Sequence, residues 1–384
     1  MKLNDYLPLK ENISFGFEKN AITLLIAVAT IGLIAFYLYG VSNFLQHGHH
    51  SYNVTREHPW GFLVASYEFF VALAMGSIVT AASGIFFEIE VIKPLIKRML
   101  VVGLLSLFAG FTAFLFEVGH PVTMVIYTAL SGNPTSALFW LGVFYPMFML
   151  FTVLTFVSYS KNIGPTKLFA MFAIIFANSS VLTAGSIFGN LNSRLFSSGI
   201  FYQIEFMVTA ILAGIFLLTI ITVFFDKQNY VKAVLALEKV AIALLSLLLI
   251  MYLVRYISGV YGGVPGSADT INYMYTSNNF LIYELGLGII FPLFVAAFGS
   301  KEKVGIFCLA SIFGLVGIMY SRINVTEGIQ LAPMQTMTTR VYQETPTLIT
   351  NYTPSMTELG IGIGAIGVFI LLVFIADRVL ELDD

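Results

Sequence analysis

Six ionisable side chains sit where an apolar chain can least easily keep them. Glu68, Glu117, Glu205, Arg255, Glu284 and Arg322 each interrupt or close a long apolar run. A charge at that depth in lipid is costly, so by default it marks a partner or a function. Glu68 is placed most tellingly. It lies in PWGFLVASYEFFVALAMG, from Pro59 to Gly76, and steps of three and four from it run through Gly61, Ala65, Ala72 and Gly76. Small residues on one stripe let a second helix approach closely, so Glu68 is expected to face protein. The plain alternative is a carboxyl hydrogen-bonded for packing alone.

Glu68 is eight positions from Trp60, an interface anchor, which puts it on the order of 12 Å deep at about 1.5 Å per residue. Glu117 and His120 close the next apolar run at the same level, and His58 stands just before Pro59. These side chains are expected to converge on a cavity open to one side of the membrane. An apolar, aromatic cavity with a few polar groups suits a quinone head: two hydrogen bonds hold its oxygens and a carboxyl exchanges its protons. Glu68 and Glu117 are read as the acid and base groups, and His58, Tyr67, Glu68 and His120 as the quinone contacts. Tyr67 reads equally well as an interfacial aromatic among 19 tyrosines. Glu205, Arg255 and Glu284 read as an ion pair with one acid left over, either structural or a proton relay.

The histidines argue against a b-type haem, which needs two axial ligands from helices sharing an interior. His47, His49, His50 and His58 fall in one loop, and His120 ends a span. The HGHH run at 47–50 reads as solvated loop, and no metal site is expected. Cys308 is the single cysteine, so neither a disulfide nor an iron–sulfur cluster can be built from this chain alone.

The elements that must position these residues follow from composition. Hydrophobic residues make up 58% and charged ones 10%, with a mean hydropathy of +0.88. That excludes a soluble globular chain and, with a net charge of −2, a nucleic-acid partner. Ten apolar runs are long enough to span a bilayer: 21–45, 60–89, 98–119, 136–159, 165–189, 199–225, 231–261, 277–299, 303–321 and 357–379. The first is expected to stay as a span, because it lacks a small-residue cleavage site.

Of the 19 Lys and Arg residues, all but Arg56, Arg194, Arg255, Arg322 and Arg340 fall on one side of this alternation. The positive-inside rule makes that side cytoplasmic and puts both termini there. An internal echo relates YEFFVALAMG, ending at Gly76, to IEFMVTAILAG, ending at Gly214. The expected fold is a single all-α membrane domain over 1–384. Spans 2–5 (60–189, with the quinone site) and spans 6–9 (199–321) each form a four-helix bundle, the first and tenth spans flank them, and a long outer loop covers 322–356.

Three stretches carry a family resemblance: PWG at Pro59 to Gly61 leading to Gly76; GHP at Gly119 to Pro121 followed by NPTS at Asn133 to Ser136; and NYTPSMTELGIGIG from Asn351. On these the chain resembles the NrfD/PsrC family, the membrane subunits of polysulfide-reductase-type complexes. The YxPSxxE opening of the last helix, with Arg322 before a long loop, is similar to the ten-span HybB/DsrP-like branch. The resemblance implies a cofactor-free subunit of the cytoplasmic (inner) membrane that binds menaquinone or ubiquinone. It implies an iron–sulfur (ferredoxin-like) partner on the outer face and a further catalytic subunit beyond. Two other readings stay open: a proton-coupled secondary transporter and a passive membrane anchor.

Overall fold

The computed structural model describes residues 8, 21–56, 58–191, 197–225, 231–263, 267–299, 304–331 and 352–382. Ten helices there are long and apolar enough to cross a membrane. They are α1 (Ala21–His47), α2 (Phe62–Phe86), α3 (Ile96–Glu117), α5 (Ala137–Lys161), α6 (Thr166–Gly189), α7 (Phe201–Phe225), α8 (Val231–Tyr261), a π-helical segment (Asn279–Ile290) that continues as α10 (Phe291–Phe298), α11 (Val304–Leu331) and α12 (Met356–Val379). Two shorter helices, α4 (Pro121–Ser131) and α9 (Ser267–Thr276), lie in the connections. The protein is a multi-pass, all-helical membrane protein, and no strand occurs among the described residues.

Local chemistry sets the helix ends. Pro121 occupies the first turn of α4, where its missing N–H costs nothing, and Gly132 closes that helix with φ +52°. Asn162 takes the same left-handed conformation after α5. At the start of α12, the Ser355 side chain accepts from the Glu358 N–H at 3.2 Å and Glu358 Oε2 accepts from the Ser355 N–H at 2.8 Å, a reciprocal capping box.

Two four-helix bundles result, α2–α3–α5–α6 and α7–α8–π/α10–α11, with α1 and α12 paired against the first. The pivot is α2, which packs on α3, α6, α7, α11 and α12. Its most apolar window is 83% buried within the protein, against 11% for α1, whose Leu24, Leu25, Val28 and Ile31 point outward to lipid. The bundles meet where the internal echo ends, with Gly76 of α2 against Gly214 of α7. A Cβ on Gly76 would run into the Ala210 carbonyl and the Gly214 N–H, so only glycine permits this backbone approach.

One boundary differs from the sequence expectation. The ninth span, expected to end at 321, runs as α11 to Leu331. Arg322, Asn324, Thr326 and Gln330 on that extension are all buried, so they lower its hydropathy while facing protein. Gln330 fastens the end of α11 to the start of α2: it accepts from the Trp60 N–H and donates to the Trp60 carbonyl, both at 2.9 Å. Residues 332–351 of the expected loop lie outside the described residues.

Candidate functional site

At the end of the bundle that carries His58, the chain from Tyr52 to Trp60 crosses the helix ends and meets the start of α12. Glu358, fully buried, accepts hydrogen bonds from the Asn53 N–H at 3.1 Å and the Tyr352 hydroxyl at 2.6 Å, besides its capping bond. The Tyr352 oxygen in turn accepts the Phe62 N–H at 2.6 Å, and the His58 ring stacks on Tyr352 at 5.4 Å. Gly61 lets these groups close in, since a Cβ there would fall on Glu358 and 2.7 Å from the Tyr352 hydroxyl.

Glu117, at the end of α3, joins this cluster, close to the Gly61 N–H and in the field of Glu358. Its Oε2 is buried without a hydrogen-bond partner. Tyr52 donates to the Phe116 carbonyl at 3.0 Å. Burial pushes the Tyr52 phenol well above its usual range, with the Glu117 and Glu358 charges adding to it. Burial acts on Tyr352 in the same way, with the neighbouring Glu358 charge second. His58 and Glu117 thus both lie beside the Tyr352–Glu358 pair. His120 does not: it is exposed, directly before α4, which contacts α5 rather than the cluster.

Deeper on α2, Tyr67 and Glu68 are neighbours in sequence but look to different parts of the protein. Tyr67 points into the first bundle, where its hydroxyl donates to that of Tyr145 at 2.6 Å and its ring stacks on Phe114 at 4.4 Å. Glu68, 4% exposed, lies on the stripe that runs from Gly61 and Ala65 to Gly76. That stripe faces α7 and α11, so Glu68 sits at the seam between the bundles, within electrostatic reach of Arg322. Its Oε2 is buried and has no hydrogen-bond partner.

The second bundle holds a polar interior, with one partner different from expectation. Glu205 pairs with Arg322, not Arg255: Arg322 Nη1 lies 2.9 Å from Glu205 Oε2, and both residues are 1% exposed. Ser321 donates to Glu205 at 2.7 Å, Arg322 Nη2 donates to Thr209 at 2.6 Å, and the guanidinium lies 3.7 Å over the Phe206 ring. Arg255 instead lies over the rings of Phe201 and Tyr202, at 5.1 and 5.4 Å. Glu284 accepts from Tyr252 and Asn324. It projects from the π-helical segment, a geometry that recurs at functional sites. Cavities of about 20 and 10 Å³ flank it, each about the size of one water.

A larger, half-open cavity of about 210 Å³ lies at the His58 end between α2, the π-helical segment, α11 and the start of α12. Among its lining residues are Phe62, Tyr320, Glu327 and Tyr352. Glu327 escaped the sequence reading because it lies beyond the apolar run of α11. Tyr145 and Asn324 escaped because nothing in their local sequence names a partner. Among the described residues, no group of three His, Cys, Asp or Glu side chains is arranged to hold a metal ion.

Comparison with known proteins agrees with this architecture. The family model for polysulphide reductase NrfD matches residues 49–333. Across 92% of both chains, the protein is 23% identical to a subunit of the selenate reductase of Mesobacillus selenatarsenatis. The family match spans both helix bundles, and the chain belongs to the polysulphide reductase NrfD family, whose members are membrane subunits of reductase complexes.

Proposed function

We propose that this chain is the quinone-reactive subunit of a respiratory oxidoreductase complex in the cytoplasmic membrane, with both termini cytoplasmic and the His58 end facing outward. The observation that carries the reading is Glu68: a buried carboxyl with one oxygen lacking any hydrogen-bond partner, one helical turn below Ala65 in the wall of the half-open cavity. A carboxyl kept in that state is costly as structure and useful as a proton acceptor or donor. Glu117, with its own unpartnered oxygen in the outer cluster, is the second acid. His58 is in place to order that cluster through its stack on Tyr352.

The similarity to part of a selenate reductase supports partner subunits. An iron–sulfur protein docked on the outward end would exchange electrons with the quinone, and a catalytic subunit beyond it would act on the terminal substrate. Menaquinone or ubiquinone is the membrane substrate in this reading. Glu284, beside the Glu205–Arg322 pair and Arg255 in the second bundle, then serves as the group that accepts or supplies protons there. Purification from native membranes tests the proposal. It requires co-purifying iron–sulfur absorbance and quinol-dependent reduction of that centre. A chain that purifies alone and exchanges no electrons with quinol would sink it.

A further inference from the structure

The half-open cavity at the His58 end lies where α11 and α12 both pack on α2. Its walls are apolar on α2 and around the start of α12, from Phe62, Ala65, Pro354 and Leu359. Polar groups stand opposite: Asn279 on the π-helical segment, and Tyr320 and Glu327 on α11. Among the described residues, none of these three makes a side-chain hydrogen bond or ion pair. Glu327 is the one carboxyl among the described lining residues, and no lysine or arginine among them meets it. The Tyr320 ring is held flat against Tyr283 at 4.3 Å, which fixes the direction of its hydroxyl.

The α11 wall continues into the membrane. Steps of three and four back from Glu327 run through Ile323, Tyr320, Val316, Ile312 and Leu309. Val316, Ile312 and Leu309 are exposed, which on a membrane helix means that they face lipid. On α12, Leu359 in the cavity wall stands two turns before the exposed Ile366, on the same face. Two lipid-facing stripes therefore lead into one cavity, and its polar end carries a carboxyl that meets no cation. A small water-soluble ligand would make no use of the stripes, whereas an amphiphile with a cationic head uses both features. Glu68, one turn deeper on α2 than Ala65, is not in the wall and takes no part in such a site.

We propose that this cavity binds the head of a phospholipid bearing a primary ammonium, as in phosphatidylethanolamine. Glu327 accepts charge-assisted hydrogen bonds from the ammonium, while the Asn279 amide and the Tyr320 hydroxyl donate to the phosphate. The acyl chains lie along the α11 and α12 stripes. A quaternary ammonium has no N–H to give Glu327, so a choline head binds less tightly. At about 210 Å³ the cavity is smaller than the ~300–1,000 Å³ typical of drug-sized ligands, which suits a head and not a whole lipid. The bound lipid then bridges α11 of the second bundle to α12, each of which packs on α2. The site is independent of the quinone reading and stands or falls without it.

The test is native mass spectrometry of the full chain, with whatever subunits co-purify, after delipidation and titration with phosphatidylethanolamine, phosphatidylcholine or phosphatidylglycerol of the same acyl chains. Phosphatidylethanolamine should bind at least about tenfold more tightly than the other two, and Glu327→Gln should abolish that preference through loss of a charge-assisted hydrogen bond. Before delipidation, a carbodiimide that joins carboxyls to primary amines should couple Glu327 to the lipid amine, leaving a mapped peptide with the mass of the lipid added. Equal affinity for the three lipids, or a preference unchanged in Glu327→Gln, would overturn the proposal. Coupling of Glu327 to a lysine of a co-purifying subunit would overturn it too, and would give the cavity to a basic side chain of that partner. The wild-type adduct decides between these outcomes even if Glu327→Gln does not assemble.

Discussion

Arg322 and Glu205 form an ion pair at 2.9 Å that is closed off from solvent, and the same guanidinium lies within electrostatic reach of Glu68 on the facing bundle. One cation thus ties α7 and α11 together and biases the carboxyl on α2. A buried pair of this kind is weak as a net source of stability, because desolvation offsets most of the attraction, but breaking it from one side strands a charge. Arg322→Met should therefore destabilise the protein by about 3–5 kcal/mol, and the double variant Glu205→Leu/Arg322→Met should recover most of that loss. Unfolding in a denaturing-detergent titration measures both. A double variant no more stable than the single one would show that the pair is not the cause.

The Gly76–Gly214 contact gives a second prediction. Gly76→Ala inserts a methyl group where α7 backbone already stands, and overpacking of this kind costs about 1–3 kcal/mol. Gly32→Ala on α1 meets nothing within 4 Å and should be neutral or stabilising by up to ~1 kcal/mol. The same titration compares them, and equal effects would contradict the close crossing.

Replacing Glu68 with Gln keeps its size and removes the titratable proton. Quinol-linked electron transfer in assembled complexes should fall by at least about 100-fold, the lower range for a general acid or base. Glu117→Gln should also be impaired, and Glu205→Gln much less. Near-normal turnover in Glu68→Gln with loss in Glu205→Gln would move the chemistry into the second bundle.

Orientation can be tested with Cys308 replaced and single cysteines introduced at two exposed loop positions. Thr135→Cys, in the connection after α4, should react with an impermeant thiol reagent in intact cells. Ile163→Cys, in the turn after α5, should react only after lysis. The reverse pattern would overturn the assignment of the His58 end to the outer face.

The phenols of Tyr52 and Tyr352 are both held neutral above their ordinary value of 10.0, burial being the main cause and nearby carboxylates the second. Above about pH 10 the folded state then keeps protons that the unfolded state releases, so stability falls as pH rises through that range. Tyr352→Phe should flatten this alkaline decline, at the cost of the hydrogen bonds to Glu358 and Phe62. Thermal unfolding followed from pH 8 to 11 checks the sign.

The spans, their number and the family were legible in the sequence, because a run of about 20 apolar residues has few stable homes other than a membrane helix. The stripe of small residues around Glu68 correctly pointed that carboxyl at protein, since helical periodicity alone decides which residues share a face. Periodicity cannot say which neighbour the face meets. Only the packing of α2 between two bundles sends Tyr67 to Tyr145 and Glu68 towards Arg322. It likewise took the tertiary structure to give Glu205 the guanidinium of Arg322 and to leave Arg255 over Phe201 and Tyr202. Both arginines stand at a depth that would serve, and the choice is made by helices distant in sequence. The last ten residues of α11 read as loop for the same reason. Arg322, Asn324, Thr326 and Gln330 there are buried against partners rather than exposed to water, a distinction that hydropathy cannot carry.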